Sequence, residues 1–328
     1  MPQFIISEGC PLPLERALRS AVFEYSARRK KFLERFKGLY DEEFSITDLY
    51  QGPRQIWMKR KWWDDIQINL VRDNYYSLLG NVVHFILEHY APASYIVEER
   101  QHTILNVDGV RVLFHGQPDA YDPVTLTLYD YKFVSAYAIM YDKKEYEFQL
   151  NAGAYLFGNR GIRVGALVNI YMFRHLDPIA MLRTPGYPQE NIQPKQIPLW
   201  DRVTTEKKIK ELISKILVHR NTHWKKLPEC TDDERWLRDT KFAAIKRNKN
   251  KSHQRQGDWP KNNASIARFE TMLEAKGFIQ NTTEKEEMKI EKRIGEPKKC
   301  DQYCPVVTFC SQRQNELKSK EKKVLVDE

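Results

Sequence analysis

The sequence predicts an α/β fold in which a mixed β-sheet is flanked by helices. The predicted elements follow in the order helix, strands, helix, strand, helix, and that alternation is typical of such folds. Hydrophobic residues make up 41% of the 328 positions, which is enough to bury a core. No stretch approaches the roughly 18 consecutive apolar residues of a membrane span, and the N-terminus has no signal-peptide pattern. We therefore expect a soluble cytoplasmic protein with no membrane partner.

The chain is expected to divide into three parts. Residues 1–40 carry apolar residues at helical spacing, which predicts an N-terminal helical extension. Residues 41–226 contain the alternating helices and strands and are predicted to form the core domain. Residues 227–328 are rich in Lys, Glu and Asn and hold four of the five cysteines. They are predicted to form a C-terminal module with a basic segment and a polar tail.

Within the predicted core, helices at about 76–90 and 145–158 stand on either side of the main strand signals. Those signals dominate residues 93–134, where VRVLFHGQPDAYD and VTLTLYDYKFV are separated by a turn at Asp122-Pro123. A further strand, VGALVNIYMF, follows the second helix. A charged helix over about 204–226 completes the predicted core.

Two carboxylates and a lysine form the first candidate site. Asp130 and Lys132 lie two apart on a predicted strand, so their side chains project to the same face, and a neighbouring turn can bring Asp119 beside them. Converging carboxylates repel each other unless a cation lies between them, and Mg²⁺ prefers oxygen ligands. A lysine beside such an ion can act on a water or stabilise charge on phosphorus. The pattern favours metal-assisted phosphodiester hydrolysis, and the alternative is a surface ion pair on an edge strand.

Four short motifs occur in a fixed order over about residues 44–173. They are Gly80, His84 and Glu88 at four-residue spacing on a helix, Gly116 to Asp119, Asp130 with Lys132, and Gln149 in the next helix. In this order the motifs resemble those of the PD-(D/E)XK nuclease superfamily, in particular its RecB-like and Cas4-like branch. The resemblance implies a restriction-endonuclease-like core and a metal-dependent deoxyribonuclease.

The resemblance also implies a role for each matched residue. His84, Asp119 and Asp130 would ligate Mg²⁺ or Mn²⁺, together with the backbone carbonyl of Tyr131. Lys132 would act on the attacking water. These residues are therefore the expected catalytic centre.

The helper residues around the lysine follow the family pattern only in part. Gln149 would position the lysine or a DNA phosphate. The branch often has a tyrosine four residues after this glutamine, where the chain has Gly153. Tyr155 is the alternative for that supporting role, and Glu88 is a further supporting candidate.

Three cysteines crowd into the C-terminal module, in the pattern C-x3-C-x5-C: Cys300, Cys304 and Cys310. Thiolates this close in a cytosolic protein indicate a soft-metal site for Zn²⁺ or an iron–sulfur cluster, the alternative being buried thiols. The segment resembles the Cas4-like branch, which implies a [4Fe–4S] cluster with one early cysteine as fourth ligand. Gly52 stands in the place of that cysteine. Cys230 is the predicted fourth ligand instead, and Cys10 is the alternative.

The charge balance favours a polyanionic partner. Lys and Arg number 53 against 44 acidic residues, a formal charge of +9, and cations that neutralise phosphates release counterions. Basic and aromatic residues mix at 54–63, and residues 241–255 carry six basic residues without an acid. Such segments suit single-stranded nucleic acid, although tryptophans in a core and solvated lysines explain them as well.

The leading hypothesis is an exonuclease that acts on single-stranded DNA or duplex ends in recombination, repair or phage replication. Residues 228–310 resemble the C-terminal module of phage-encoded relatives, which implies a prokaryotic or phage-infected cell. Recombination or replication proteins are the candidate protein partners. The alternatives are a catalytically degenerate DNA-binding protein and a recombination-partner protein with a structural metal site.

Overall fold

The computed structural model describes residues 3–5, 19–20, 26–69, 75–140, 144–246, 265–283 and 287–324. The chain divides into two compact units, Met1–Glu229 with Thr308–Gln314, and Cys230–Val307 with Asn315–Glu328. Cys10, residues 247–255 and much of the predicted N-terminal extension lie outside the described residues. The predicted mixed sheet flanked by helices is confirmed in the first unit.

The described strands are, in chain order, β1 (Gln3–Ile5), β2 (Glu42–Ser45), β3 (Gln67–Asn69), β4 (Ile96–Val97), β5 (Gln101–Val107), β6 (Val110–Gly116), β7 (Ala120–Asp122), β8 (Thr127–Val134), β9 (Ala166–Phe173), β10 (Ile192–Ile197), β11 (Lys241–Lys246), β12 (Ala267–Phe269) and β13 (Met288–Arg293). The described α-helices are α1 (Pro53–Lys61), α2 (Tyr75–Tyr90), α3 (Lys144–Asn159), α4 (Pro178–Arg183), α5 (Arg202–Leu217), α6 (Asp232–Arg235), α7 (Met272–Gln280), α8 (Lys298–Gln302) and α9 (Ser311–Val324). These bounds place the predicted site residues on α2, β8, α3 and the approach to β7.

The central sheet of the first unit has five strands in the order β10-β9-β8-β7-β4. β8 and β9 are parallel, and the other neighbouring pairs are antiparallel. The turn between β7 and β8 begins at Asp122, whose carboxylate accepts hydrogen bonds from Val124 N and Thr125 Oγ1. A parallel neighbour requires a crossover, and α3 lies in the connection from β8 to β9.

One face of the central sheet packs against α3. Buried positions alternate along β9, as the period of two in a strand requires. Leu128 and Leu167 on the sheet meet Leu150 and Phe157 on the helix. Burial of each such side chain stabilises the fold by about 1.5–3 kcal/mol. The helix therefore stands over the strand that carries Asp130 and Lys132.

A second sheet in the first unit has the order β2-β6-β5, and β1 pairs with β3 in parallel. Ile209, Ile213 and Ile216 lie on one stripe of α5 at helical spacing and are buried with Phe44 and Phe148 in the main core cluster. This cluster packs α5 and α3 against the second sheet.

The second unit contains an antiparallel sheet of order β12-β11-β13, and α7 packs against all three strands. Ala243, Ala244 and Ile245 are buried on β11. Thr271 caps the first turn of α7, and Glu274 completes a reciprocal capping box. Across both units, no helix of the described residues combines the length and the apolar character of a membrane span.

Candidate functional site

Three carboxylates lie side by side at one level of the central sheet. The register of β7 and β8 sets Asp119, which directly precedes β7, opposite Asp130. The register of β4 and β7 sets Glu98 opposite Asp119, and the Glu98 N–H donates to the Asp119 carbonyl at 3.1 Å. The β7–β8 hairpin and its pairing with β4 therefore bring these acids into one row.

His84 on α2 completes a group that could hold a metal ion. Its Nδ1 lies 3.0 Å from Glu98 Oε1 and 3.6 Å from Asp119 Oδ1. One ligand atom from each of His84, Glu98 and Asp119 can be chosen so that all lie within 4.8 Å of one another. Asp119 Oδ2 accepts a 2.5 Å hydrogen bond from Tyr131 N, which places the predicted Tyr131 peptide beside the group.

The site carries more negative charge than its surroundings neutralise. Asp119 and Asp130 are both buried. Burial, together with the charge of Asp130, raises the pKa of Asp119 to about 8. Burial alone would lower the pKa of His84, but the Glu98 hydrogen bond and the charge of Asp119 raise it above its usual range. A divalent cation would relieve this repulsion in place of bound protons.

Mn²⁺ affinity is expected to rise at least about tenfold per pH unit below a pH of about 8 and then to level off. Below its pKa of about 8, Asp119 carries a proton that the cation must displace. The folded-state pKa lies above the unfolded value, so the cation-free protein should lose stability as pH rises from about 4 to about 8. Calorimetric titrations at several pH values measure the slope. If the dependence of Mn²⁺ affinity on pH is unchanged in Asp119→Asn, the proton that the cation displaces belongs to another group.

Lys132 lies beside the acidic row and is held by two side chains. Its Nζ is 2.5 Å from Asp130 Oδ2 and donates to Gln149 Oε1 at 2.8 Å. The ammonium also lies 4.7 Å from the ring centre of Tyr146, and burial raises the pKa of that tyrosine. The predicted trio and Gln149 are thus brought together in one place.

The other predicted helpers lie elsewhere. Tyr155 is buried with its ring 4.9 Å from the guanidinium of Arg202 and belongs to the core cluster around α5. A Cβ on Gly153 would lie 3.1 Å from Leu128 Cδ2, so a tyrosine there would require the core to shift. Glu88 is exposed, and the carboxylate that contacts His84 belongs to Glu98. The tyrosine that contacts the lysine is Tyr146.

Glu98 is the site residue that sequence reasoning missed. An acidic pair at Glu98-Glu99 is common in exposed turns and carries no motif, so only the pairing of β4 with β7 identifies it. Its backbone has a φ of +49°, a left-handed conformation that costs a non-glycine residue about 1–3 kcal/mol. Such strain is frequent at functional sites.

A series of hydrogen-bonded polar side chains contacts the Glu98 carboxylate at Oε2, the oxygen other than the one nearest His84. Gln117 Nε2 donates to Glu98 Oε2 at 2.6 Å, and Arg100 donates to Gln117 Oε1 at 2.8 Å. The same guanidinium lies 3.1 Å from Nδ1 of the fully buried His115, whose Nε2 is 3.0 Å from Glu43. Arginine can only donate, so Nδ1 accepts and Nε2 donates to the carboxylate. This series of side chains orients Glu98 towards His84.

The aromatic and basic residues of α1 have mixed roles. Arg54 is buried and donates to the carbonyls of Pro228 and Leu227, so its role is structural. Trp57 Nε1 donates to Ile216 O. Lys59 Nζ lies 5.6 Å from the ring centre of the partly exposed Trp63. Only part of the predicted nucleic-acid surface on this helix is therefore available to a ligand.

A cavity of about 1000 Å³ in the first unit extends from the site to α1. Asp130, Gln149, Lys59 and Trp63 are among the residues that line it. Arg100 also contributes to the lining. The cavity thus joins the acidic row to cationic and aromatic side chains.

The four predicted cluster cysteines fall in both compact units. Cys230, Cys300 and Cys304 belong to the second unit and are partly buried, whereas Cys310 belongs to the first and is buried. The alternative ligand Cys10 lies outside the described residues.

No family model matches the chain, and no curated protein matches it. A solved structure titled "Crystal structure of SSO0001" is similar, with a TM-score of 0.40 and 18% sequence identity. The similarity covers 59% of this chain and 84% of that one. The function of the chain is therefore inferred from the residues of the site.

Proposed function

We propose that the protein is a Mg²⁺- or Mn²⁺-dependent deoxyribonuclease whose first unit is a restriction-endonuclease-like core of the PD-(D/E)XK type. The observation that carries this proposal is the convergence of His84, Glu98 and Asp119 beside Asp130 and Lys132. Oxygen donors with one imidazole suit Mg²⁺ or Mn²⁺, since hard cations prefer carboxylates. Buried carboxylates at one level of a sheet also need a cation to become stable as anions.

Each residue of the site has a distinct part in phosphodiester hydrolysis. His84, Glu98 and Asp119 would hold the ion, with Asp130 at its side. A bound divalent ion supplies Lewis-acid polarisation of the phosphoryl oxygen and a more acidic water. Lys132 is placed to orient the attacking water or to stabilise charge on phosphorus. Gln149 keeps the ammonium directed at that position.

We further propose that the substrate is the end of a DNA strand, single-stranded or at a duplex terminus, and that the activity is exonucleolytic. The cavity supports this because it adjoins Asp130 and carries Trp63 and Lys59, which can stack on a base and pair with a phosphate. Replication or recombination proteins are the proposed partners, in a prokaryotic or phage-infected cell.

The test of this function is a cleavage assay on end-labelled linear DNA and on a covalently closed circle of the same sequence. Linear DNA should be shortened with Mn²⁺ or Mg²⁺ and left intact with EDTA. Asp130→Asn should reduce the rate by about 10³-fold, because it removes a negative charge that would stabilise the bound cation. Asp108→Asn is the matched control, since Asp108 is exposed in the β5–β6 hairpin and has a left-handed φ that asparagine tolerates.

Equal cleavage of circular and linear DNA would show that the activity is endonucleolytic, because a closed circle has no ends. DNA binding without metal-dependent cleavage would favour a degenerate DNA-binding protein. A rate in Asp130→Asn equal to that of Asp108→Asn would exclude the acidic row as the catalytic centre.

We propose, in addition, that Cys230, Cys300, Cys304 and Cys310 bind a soft metal, a [4Fe–4S] cluster with Zn²⁺ as the alternative. Anaerobically purified protein is expected to be brown and to contain about four irons per chain. Cys230→Ser should lose the metal. A colourless protein with one zinc would establish the alternative, and metal retained in Cys230→Ser would exclude that residue as a ligand.

A further inference from the structure

The row of acidic side chains continues into the next strand with a buried amide. Asn169 on β9 is the registered partner of Asp130 on β8. Registered residues on neighbouring strands project to the same face, and the strands lie about 4.8 Å apart. Asn169 therefore stands beside Asp130 on the face that α3 covers.

The amide of Asn169 has no hydrogen-bond partner among the described residues. The side chain is fully buried, and neither Oδ1 nor Nδ2 is paired. A buried amide of this kind loses its bonds to water without compensation, and native proteins keep few such groups. An apolar residue of similar size would pack there at no such cost. A polar residue at this position therefore indicates that the Asn169 amide forms a hydrogen bond in another state of the site.

Asp130 offers the complementary atom. Its Oδ2 lies 2.5 Å from Lys132 Nζ, but the contact is not aligned as a hydrogen bond, and the described residues offer no other hydrogen bond to this oxygen. The Lys132 ammonium contacts the Asp130 carboxylate in this arrangement. For catalysis, the Asp130 carboxylate would have to give up its contact with Lys132 and make contacts with other groups.

We infer that Asn169 is a positioning residue whose amide N–H donates to Asp130 when this carboxylate turns towards a divalent cation. The inference rests on the proposed function. In that state Asp130 would help to hold the cation and would accept a hydrogen bond from Asn169, and Lys132, still bonded to Gln149, would act on the attacking water. A neutral amide suits the task because it holds the carboxylate without competing with the cation by charge. No covalent step involves Asn169.

Asn169→Leu tests the inference, with Asn169→Ser as the variant that retains a donor. Without metal, Asn169→Leu should melt about 2–4 °C above wild type, since it removes an unpaired buried amide. Its Mn²⁺ dissociation constant should rise about tenfold, because one hydrogen bond to a charged group is lost. At saturating Mn²⁺ its cleavage rate should fall about 10–100-fold, and Asn169→Ser should recover part of both losses.

Asn159→Leu is the matched control, because Asn159 also has an unpaired Nδ2 but lies at the C-terminal end of α3. It should change neither Mn²⁺ binding nor cleavage. Mn²⁺ binding by Asn169→Leu equal to that of wild type would overturn the inference, as would a lower melting temperature without metal. If wild type does not cleave DNA, the proposed function fails, and the Mn²⁺ titration still decides the role of Asn169.

Discussion

Lys132→Met should lower metal-dependent cleavage about 10³-fold and leave Mn²⁺ binding in place. The ammonium lies between Asp130 and Gln149, at 2.5 and 2.8 Å, and in the proposed function it acts on the water or on a phosphoryl oxygen. Methionine keeps the length of the side chain but has neither charge nor donor. Single-turnover cleavage at saturating Mn²⁺ measures the chemical step, and calorimetry measures the binding.

The matched control for this variant is Lys144→Met, which removes an exposed lysine from the first turn of α3. Its cleavage rate should stay within about twofold of wild type, since a solvated lysine contributes little. A rate of Lys132→Met within tenfold of the control would exclude the lysine from the chemistry. Loss of Mn²⁺ binding in Lys132→Met would assign it a structural role instead.

Glu98→Gln should weaken Mn²⁺ binding at least about 100-fold. Mutation of a residue that only orients a metal ligand typically lowers metal affinity about 10–100-fold, and loss of a ligand should lower it more. The Glu98 carboxylate meets His84 Nδ1 at 3.0 Å and belongs to the group of three ligands. Glutamine keeps the shape of the side chain but loses the negative charge and one of the two acceptor oxygens. Titration calorimetry and the Mn²⁺-induced rise in melting temperature both report the effect.

Glu99→Gln is a close control, since it removes the same charge from the adjacent residue. Glu99 is about half exposed and pairs with Arg160, so its loss should leave Mn²⁺ binding within about twofold of wild type. Equal weakening by the two variants would mean that only the general negative charge matters. Unchanged binding in Glu98→Gln would remove Glu98 from the ligand set.

Much of the site follows from local patterns in the sequence. The two-residue spacing of Asp130 and Lys132 sets both on one face of β8, and helix periodicity sets His84 and Gln149 on helices. Glu98 and Asn169 could not be found in this way, because each enters the row only through the pairing of strands that are distant along the chain. Register is a tertiary property, decided by which faces can be buried together.

Helper residues were harder to place for a related reason. Tyr146 and Tyr155 both lie on α3, but nine positions correspond to about two and a half turns, so they leave the helix on different sides. Tyr146 approaches Lys132, whereas Tyr155 enters the core with α5. The spacing expected from the family resemblance places a tyrosine at position 153, where the chain has Gly153. It therefore does not decide whether Tyr146 or Tyr155 lies beside Lys132.

The turn between β7 and β8 has a consequence for how this protein can vary. Asp122 holds that turn by side-chain hydrogen bonds, and Leu126 closes it with a φ of +56°. If adding or deleting a single residue here shifts β8 by one position, Asp130 and Lys132 move to the opposite face of the sheet together with the core residue Leu128. Homologous chains that keep the chemistry should therefore tolerate substitutions in this turn far better than changes in its length.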